Sequence, residues 1–197
     1  MIKELARGQL ETLCGEWTHI VYWDGMQQAI AMVYGDVAGQ EDVLCRVHSS
    51  CITAHVFLST ECDCREQLAI TMEYIREQGR GVVLWLDHEG RANGMMAHIA
   101  SQSIKRTGVS QSEAYEQLGY PRDSRRYFVA SEMLKDLQVK SIVVMTNNPL
   151  KVEALRSAGL PVVHGDRRVM IEPTNDLLKK QYSDKLYVDN HFLEDPA

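Results

Sequence analysis

The chain has 197 residues, 45% of them apolar and 24% charged, the make-up of one globular domain long enough to bury a core. A formal net charge of −6 argues against a nucleic-acid polymer as partner, because such a partner usually needs a broad basic face. No apolar run is long enough to span a bilayer, and the N-terminus, MIKELARGQLETLCGEW, lacks the apolar core of a secretory signal, so the expected location is the cytoplasm.

In chain order, THIVYW, QAIAMVYGDV and DVLCRVHS are rich in β-branched and aromatic residues and read as strands, separated by the turn-like DGMQ and AGQE. From Glu66 to Gln78, EQLAITMEYIREQ puts Leu68, Met72 and Ile75 on one helical face and stops at Gly79. GVVLWLD is a short apolar run ended by charge, the pattern of a buried strand. HEGRANG, His88 to Gly94, is a loop whose glycines permit close backbone approach to a ligand. A helix is expected near Met95 to Arg106, a second from Ser112 to Leu118, a turn at GYPRD, and an amphipathic helix over 126–137. SIVVMT is a strand, NNP a turn, LKVEALRSAG a helix stopped by Gly159, and LPVVHG a final strand. Beyond Arg168 the chain is polar and weakly periodic, and its last residues, NHFLEDPA, are expected to be disordered. Alternating strands and helices without repeat or linker predict an α/β or α+β single domain over 1–170, followed by a divergent segment, 171–197.

Three of the five cysteines, Cys51, Cys62 and Cys64, fall within RVHSSCITAHVFLSTECDC as C-x10-C-x-C. An odd total argues against a disulfide framework. A soft three-sulfur donor set with one position left over suits catalytic zinc, which brings the pKa of a water to roughly 7. Other readings of the same residues are a structural zinc closed by His48 or His55, a Cys51–Cys62 disulfide, and three unrelated thiols.

Four polar clusters stand at element ends, where sites are usually built. They are Arg46-Val47-His48-Ser49-Ser50 leading into Cys51, Glu89-Gly90-Arg91 after a buried strand, Asp123-Ser124-Arg125-Arg126 at a helix start, and Thr146-Asn147-Asn148-Pro149 with Lys151 opening the next helix. Each has a plain structural reading: Asp123 as an N-cap, TNNP as a turn, and Arg122, Arg125 and Arg126 as a solvated face. A helix start after a strand is also an anion site, and local positive charge inside an acidic chain suits a phosphorylated metabolite. Metal, carboxylate, arginines and helix start together point to hydrolysis of a nucleotide.

RVHSSCITAHVFLSTECDCREQL resembles the R-V-H-S-E-C-x10-C-D-C-x-x-Q-L signature of the GTP cyclohydrolase II family. EGR, LGYPRDSRRY and TNNPLKVEAL follow in that family's order, within residues 30 to 165. The resemblance implies a mixed α+β sandwich, a homodimer, and opening of the imidazole ring of GTP with release of formate and pyrophosphate, the entry step of riboflavin synthesis. It implies zinc on Cys51, Cys62 and Cys64, activated water attacking C8 and then the formamide, and Mg2+ with the triphosphate. By the same resemblance Asp123 is the general acid/base and Arg125 the arginine proposed to attack the α-phosphate. A guanidinium stays protonated, with a pKa above about 12, so residue chemistry favours Arg125 as an electrostatic clamp. Nucleotide contacts are implied for Arg46, Val47, His48, Ser49, Ser50, Gln67, Glu89, Gly90, Arg91, Gln111, Thr146 and Lys151.

The sequence also departs from the family pattern. Ser50 stands where the family has glutamate, His88 where glutamine precedes EGR, Gln102 where a helix carries tyrosine, and Gln111 where D-T-V-E-A-N, here SQSEAY, has its threonine. Leu150-Lys151 replaces a lysine pair. A changed polar contact in a buried site alters substrate choice by orders of magnitude. The alternatives are therefore an ordinary GTP cyclohydrolase, a paralogue that stops at the formamide or opens another ring such as a uridine nucleotide's, and a non-catalytic nucleotide-binding protein with structural zinc.

Overall fold

β1 (Lys3–Thr12), β2 (Gly15–Trp23) and β3 (Gln28–Tyr34) form an antiparallel meander, and β3 pairs antiparallel with β5 (Gly81–Leu86). Beyond β5 the pairing turns parallel, with β4 (Val43–Ser49) beside β5, β6 (Ile142–Met145) beside β4, and β7 (Val162–Arg167) beside β6. The computed structural model describes residues 2–167 and 172–191, and within them these strands make one seven-stranded sheet in the order β1-β2-β3-β5-β4-β6-β7.

Parallel neighbours need long crossovers, and helices supply them. Short α1 (Ile52–His55) and α2 (Cys64–Gln78) connect β4 to β5. α3 (Gly94–Lys105), α4 (Gln111–Gln117) and α5 (Phe128–Asp136) lie between β5 and β6, and α6 (Pro149–Ser157) joins β6 to β7. On one face of the sheet Ile20, Tyr22, Ala31, Val47 and Leu84 pack with Met133 and Leu134 of α5 and Leu155 of α6. On the other, Trp17, Val83 and Met145 meet Ile75 of α2, flanked by Leu68 and Met72. Covered on both faces, β5 reads as an unbroken apolar run. The result is the expected mixed α/β sandwich.

Three elements fall where the sequence assigns none: the single-turn α1, β1 and the last helix. β1 is exposed at nine of its ten positions and lies at the sheet edge, where Lys3, Glu4, Arg7 and Glu11 and a bulge between Glu4 and Ala6 guard it against further pairing. α7 (Asp176–Tyr187) forms in the polar C-terminal segment. Of the tail expected to be disordered, 192–197 lies outside the described residues. No helix among the described residues is long and apolar enough to cross a membrane.

The carboxyl ends of the parallel strands β4, β5 and β6 lie side by side and deliver Ser49–Cys51, His88–Glu89 and Thr146–Asn148 to one edge of the sheet. Open α/β sheets place ligand sites there.

Candidate active site

Cys51 follows the end of β4, and Cys62 and Cys64 stand at the start of α2, which brings their three Sγ atoms within 4.8 Å of one another. Cys51 Sγ is 3.6 Å from Cys62 Sγ and 3.4 Å from Thr53 Oγ1, and all three cysteines are free thiols. A set this tight cannot carry three charges unaided. Hydrogen bonds from Cys62 and then Cys64 pull Cys51 below the usual thiol range, while the contact with Cys51 pushes Cys62 up to about 12 and Cys64 well above its ordinary value. A soft divalent cation would let all three ionise, so the donor set fits zinc.

The alternative of a zinc site closed by His48 or His55 is not what the structure brings together. Their Nε2 atoms lie 3.0 Å apart and both rings pack on Trp85. Among the described residues the cluster consists of the three cysteines alone, and they border a cavity of about 240 Å³.

The loop after β5 braces this cluster. Buried Glu89 accepts at Oε2 from the Ile52 N–H at 2.7 Å, one residue past Cys51, and Ser50 Oγ donates to Asp87 Oδ1 at 3.1 Å. Gly90 has φ +59°, and a Cβ there would lie 2.7 Å from the Gly94 carbonyl oxygen and 3.1 Å from the Tyr115 hydroxyl oxygen. Gly90→Ala is therefore expected to cost at least about 1–2 kcal/mol in backbone strain and to lower the melting temperature by roughly 4 °C or more. An unchanged calorimetric melting temperature would count against this tight loop geometry.

A second cavity of about 120 Å³ shares Ser49, Cys64, Arg125 and Lys185 with the first. Its walls are basic. Buried Arg46 donates from Nη1 to the Met145 carbonyl at 2.9 Å and from Nη2 to Gln67 Oε1, and Lys151 Nζ donates to the Val47 carbonyl at 2.9 Å. Burial, then the Arg46 and Arg125 charges, drive Lys151 well below its ordinary pKa. Burial and the same Arg125 and Lys151 charges lower His88 to about 4, so its ring is neutral at pH 7. Arg125 Nε donates to both Asp123 oxygens, at 2.9 and 3.1 Å, and Nη2 donates to Oδ2. Against the opposing effect of burial, Tyr127 and Asp123 raise Arg125 above its ordinary pKa. Thr146 Oγ1 accepts from the Asn148 N–H at 3.1 Å, and Asn148 Oδ1 caps α6 through the Leu150 N–H at 2.9 Å.

The structure thus gathers Ser50, Glu89, Gly90, Arg91 and Gln111 around the larger cavity and Arg46, His48, Gln67, Thr146 and Lys151 around the smaller, with Ser49 and Arg125 on both. Asp123 borders neither of the two and reaches them through Arg125, and the Val47 side chain is in the core, leaving only its carbonyl near Lys151. Asp123 is not the N-cap of α5, since Tyr127 holds that position. The solvated reading holds for Arg122, which pairs with Glu116, and for exposed Arg126.

Sequence reasoning missed the partners that come from the C-terminal segment. Asp63, between two of the cysteines, accepts from Tyr182 OH at 2.7 Å and Lys185 Nζ at 2.9 Å as well as from Gln67 Nε2 at 2.6 Å. Arg91 donates to both Asp189 oxygens, at 3.3 and 2.6 Å, and Ser112 Oγ donates to Asp189 Oδ1 at 3.0 Å. The only signal in the sequence was an aspartate confined between two clustered thiols. Burial opposes ionisation of Asp189, but the Arg91 hydrogen bond wins and keeps its carboxyl below the usual range. A depressed folded-state pKa means that this fastening is fully present above about pH 4 and is lost as the pH falls through the lower folded value. Asp189→Asn is expected to reduce hydrogen-exchange protection of residues 176–187 at neutral pH and to remove this acid dependence. Protection equal to wild type at every pH would overturn the role of the pair.

Residues 3–166 match the family model described as GTP cyclohydrolase II. The GTP cyclohydrolase-2 of Klebsiella pneumoniae is 37% identical over 164 residues, which cover 82% of this chain and 82% of that protein. That of Aeromonas hydrophila is 40% identical over 161 residues, 80% of this chain and 81% of that protein. A bifunctional chloroplast riboflavin biosynthesis protein of Arabidopsis thaliana, RIBA 1, is 38% identical over 167 residues, 83% of this chain but 31% of that protein, so the chain spans about a third of this longer relative. The chain belongs to the GTP cyclohydrolase II family of enzymes.

Proposed function

We propose that this protein hydrolytically opens the imidazole ring of GTP, with zinc on Cys51, Cys62 and Cys64, releasing formate and pyrophosphate in riboflavin biosynthesis. One observation carries the reading: the cavity bordered by the three thiols shares a wall with a smaller one lined by Arg46, Arg125, Lys151 and Lys185. A nucleotide likewise joins a polar ring to a polyanion.

When bound, zinc supplies a Lewis acid that moves the ionisation of water towards neutral pH. The chain's own residues bind and orient the substrate. Arg46, Arg125 and Lys151 take the triphosphate, which Mg2+ would accompany, and its negative charge offsets the burial and the neighbouring positive charges that depress Lys151. Thr146 and Gln67 complete that end, while Ser49, Ser50, Glu89, Gly90, Arg91 and Gln111 surround the ring, with neutral His88 beside them. Asp123 holds Arg125 in place and, once the guanidinium turns to phosphate, becomes free to accept or return a proton at its carboxylate. The firmly charged Arg125 supports the clamp reading over nucleophilic attack. Residues 1–170 form the body of the cyclohydrolase domain, to which α7 adds Lys185 at both cavities, in a cytoplasmic homodimer, a reading consistent with the exposed apolar run Val56, Phe57 and Leu58.

Zinc-loaded protein incubated with GTP is expected to release formate and pyrophosphate and to lose purine absorbance. Pyrophosphate without formate indicates an enzyme that stops at the formamide. Neither product from folded, zinc-containing protein overturns GTP as substrate. A second reading, altered base choice, is favoured by one observation: the substituted positions Ser50, His88, Gln102 and Gln111 all border the larger cavity. It predicts poor turnover of GTP and good turnover of another nucleotide, such as a uridine nucleotide, in a panel read by mass spectrometry.

A further inference from the structure

Gln181 lies on α7, beyond the residues that match the family model, and borders the same cavity as the three thiols. Its Oε1 is buried and has no hydrogen-bond partner among the described residues. We propose that Gln181 is a specificity-determining residue whose amide reads a hydrogen-bond donor on the edge of the nucleobase. The inference rests on the nucleotide reading of the site and deepens it.

Buried amide oxygens are nearly always paired, and this one, sealed from solvent beside the cavity, gains a partner when the amide turns onto a base that fills the cavity. The helix is shaped for that use. Leu177, Lys180, Gln181, Asp184 and Lys185 recur at helical spacing and face the cavity, a largely polar stripe. The opposite requirement, anchoring, is met by buried Leu178 and Tyr182. The helix that carries Gln181 is held from both sides: Asn175 Nδ2 donates to the Thr60 carbonyl at 3.2 Å before it, and Asp189 grips Arg91 after it. Tyr182 OH, next to Gln181 in sequence, fastens the helix at 2.7 Å to Asp63 between two of the thiols. A helix fastened this way leaves only the Gln181 amide to be ordered on binding, which suits a discriminating contact. His88, whose Nδ1 is likewise buried and unpartnered among the described residues, borders the same cavity.

The test compares zinc-loaded wild type, Q181L and Q181E by calorimetric binding and by turnover with GTP, ITP, ATP, CTP and UTP, using inorganic tripolyphosphate as a base-free probe. Q181L is expected to weaken binding of the nucleotide that wild type prefers by roughly 10-fold or more, compress its preference among bases, and bind tripolyphosphate as before. Q181E keeps an acceptor and is expected to retain more of the preference than Q181L, and it carries the test should Q181L fail to fold. Equal loss for all nucleotides and for tripolyphosphate marks a structural effect and overturns the inference, as does an unchanged preference or Q181E weaker than Q181L. Wild type that binds no nucleotide overturns the proposed function and this inference together. Wild type that binds nucleotide with Q181L indistinguishable from it overturns this inference alone.

Discussion

Cys51→Ser is expected to strip zinc from the protein and to reduce GTP ring opening on the order of a thousandfold or more, because water without a metal ionises near pH 15.7 rather than near 7. A serine hydroxyl stays protonated at neutral pH and is a hard donor, leaving two sulfurs where three now lie within 4.8 Å. The fold has other support. The core on both sheet faces does not depend on the metal, and α1 is tied to Glu89 through the Ile52 N–H. The melting temperature should therefore fall modestly while metal content and activity collapse. Cys14, outside the cluster, is the control: Cys14→Ser should keep both zinc and turnover. A purely structural zinc predicts another pattern, in which Cys51→Ser unfolds the domain and wild type opens no nucleotide ring. Full activity in metal-free Cys51→Ser would remove the basis of the mechanism.

The parts of this molecule that declared themselves in sequence are those whose burial leaves a periodic trace. Gly81–Leu86 is an apolar run because both faces of β5 are covered, and α2 shows its Leu68, Met72 and Ile75 face because it packs against one side of the sheet. β1 escaped notice because it buries neither face and pairs at the sheet edge with β2. α7 escaped for a different reason: much of it lines a cavity, so polar residues recur where an ordinary helix would show apolar ones, and only Leu178 and Tyr182 are buried. In the site, short-range spacing was legible and long-range fastening was not. The C-x10-C-x-C spacing announced a cluster of three thiols, whereas the partners of Asp63 arrive from Tyr182 and Lys185, 119 and 122 positions away. Charge alone could not sort Arg122, Arg125 and Arg126 either. Only the fold turns Arg125 inward onto Asp123 and leaves the other two outside.

That pair carries the other large effect. Arg125→Ala is expected to lower kcat by about 10²- to 10³-fold, the usual loss when a fixed donor to developing charge is removed. Arg125→Lys should recover little, since a point ammonium cannot reproduce the paired donation of the guanidinium to both Asp123 oxygens. The pH dependence separates positioning from general damage. Burial alone would raise the Asp123 pKa, and the Arg125 hydrogen bond and charge are what hold it below the carboxylate norm. Removing the guanidinium lets burial win, so the Asp123 pKa rises and the acid limb of the kcat/KM profile should move to higher pH. Asp123→Asn should abolish that limb, and combining it with Arg125→Ala should cost little more than either change alone, because the two act as one unit. Losses that simply add, with the acid limb unmoved in Arg125→Ala, would show that the two residues work independently and would leave the ion pair a structural contact.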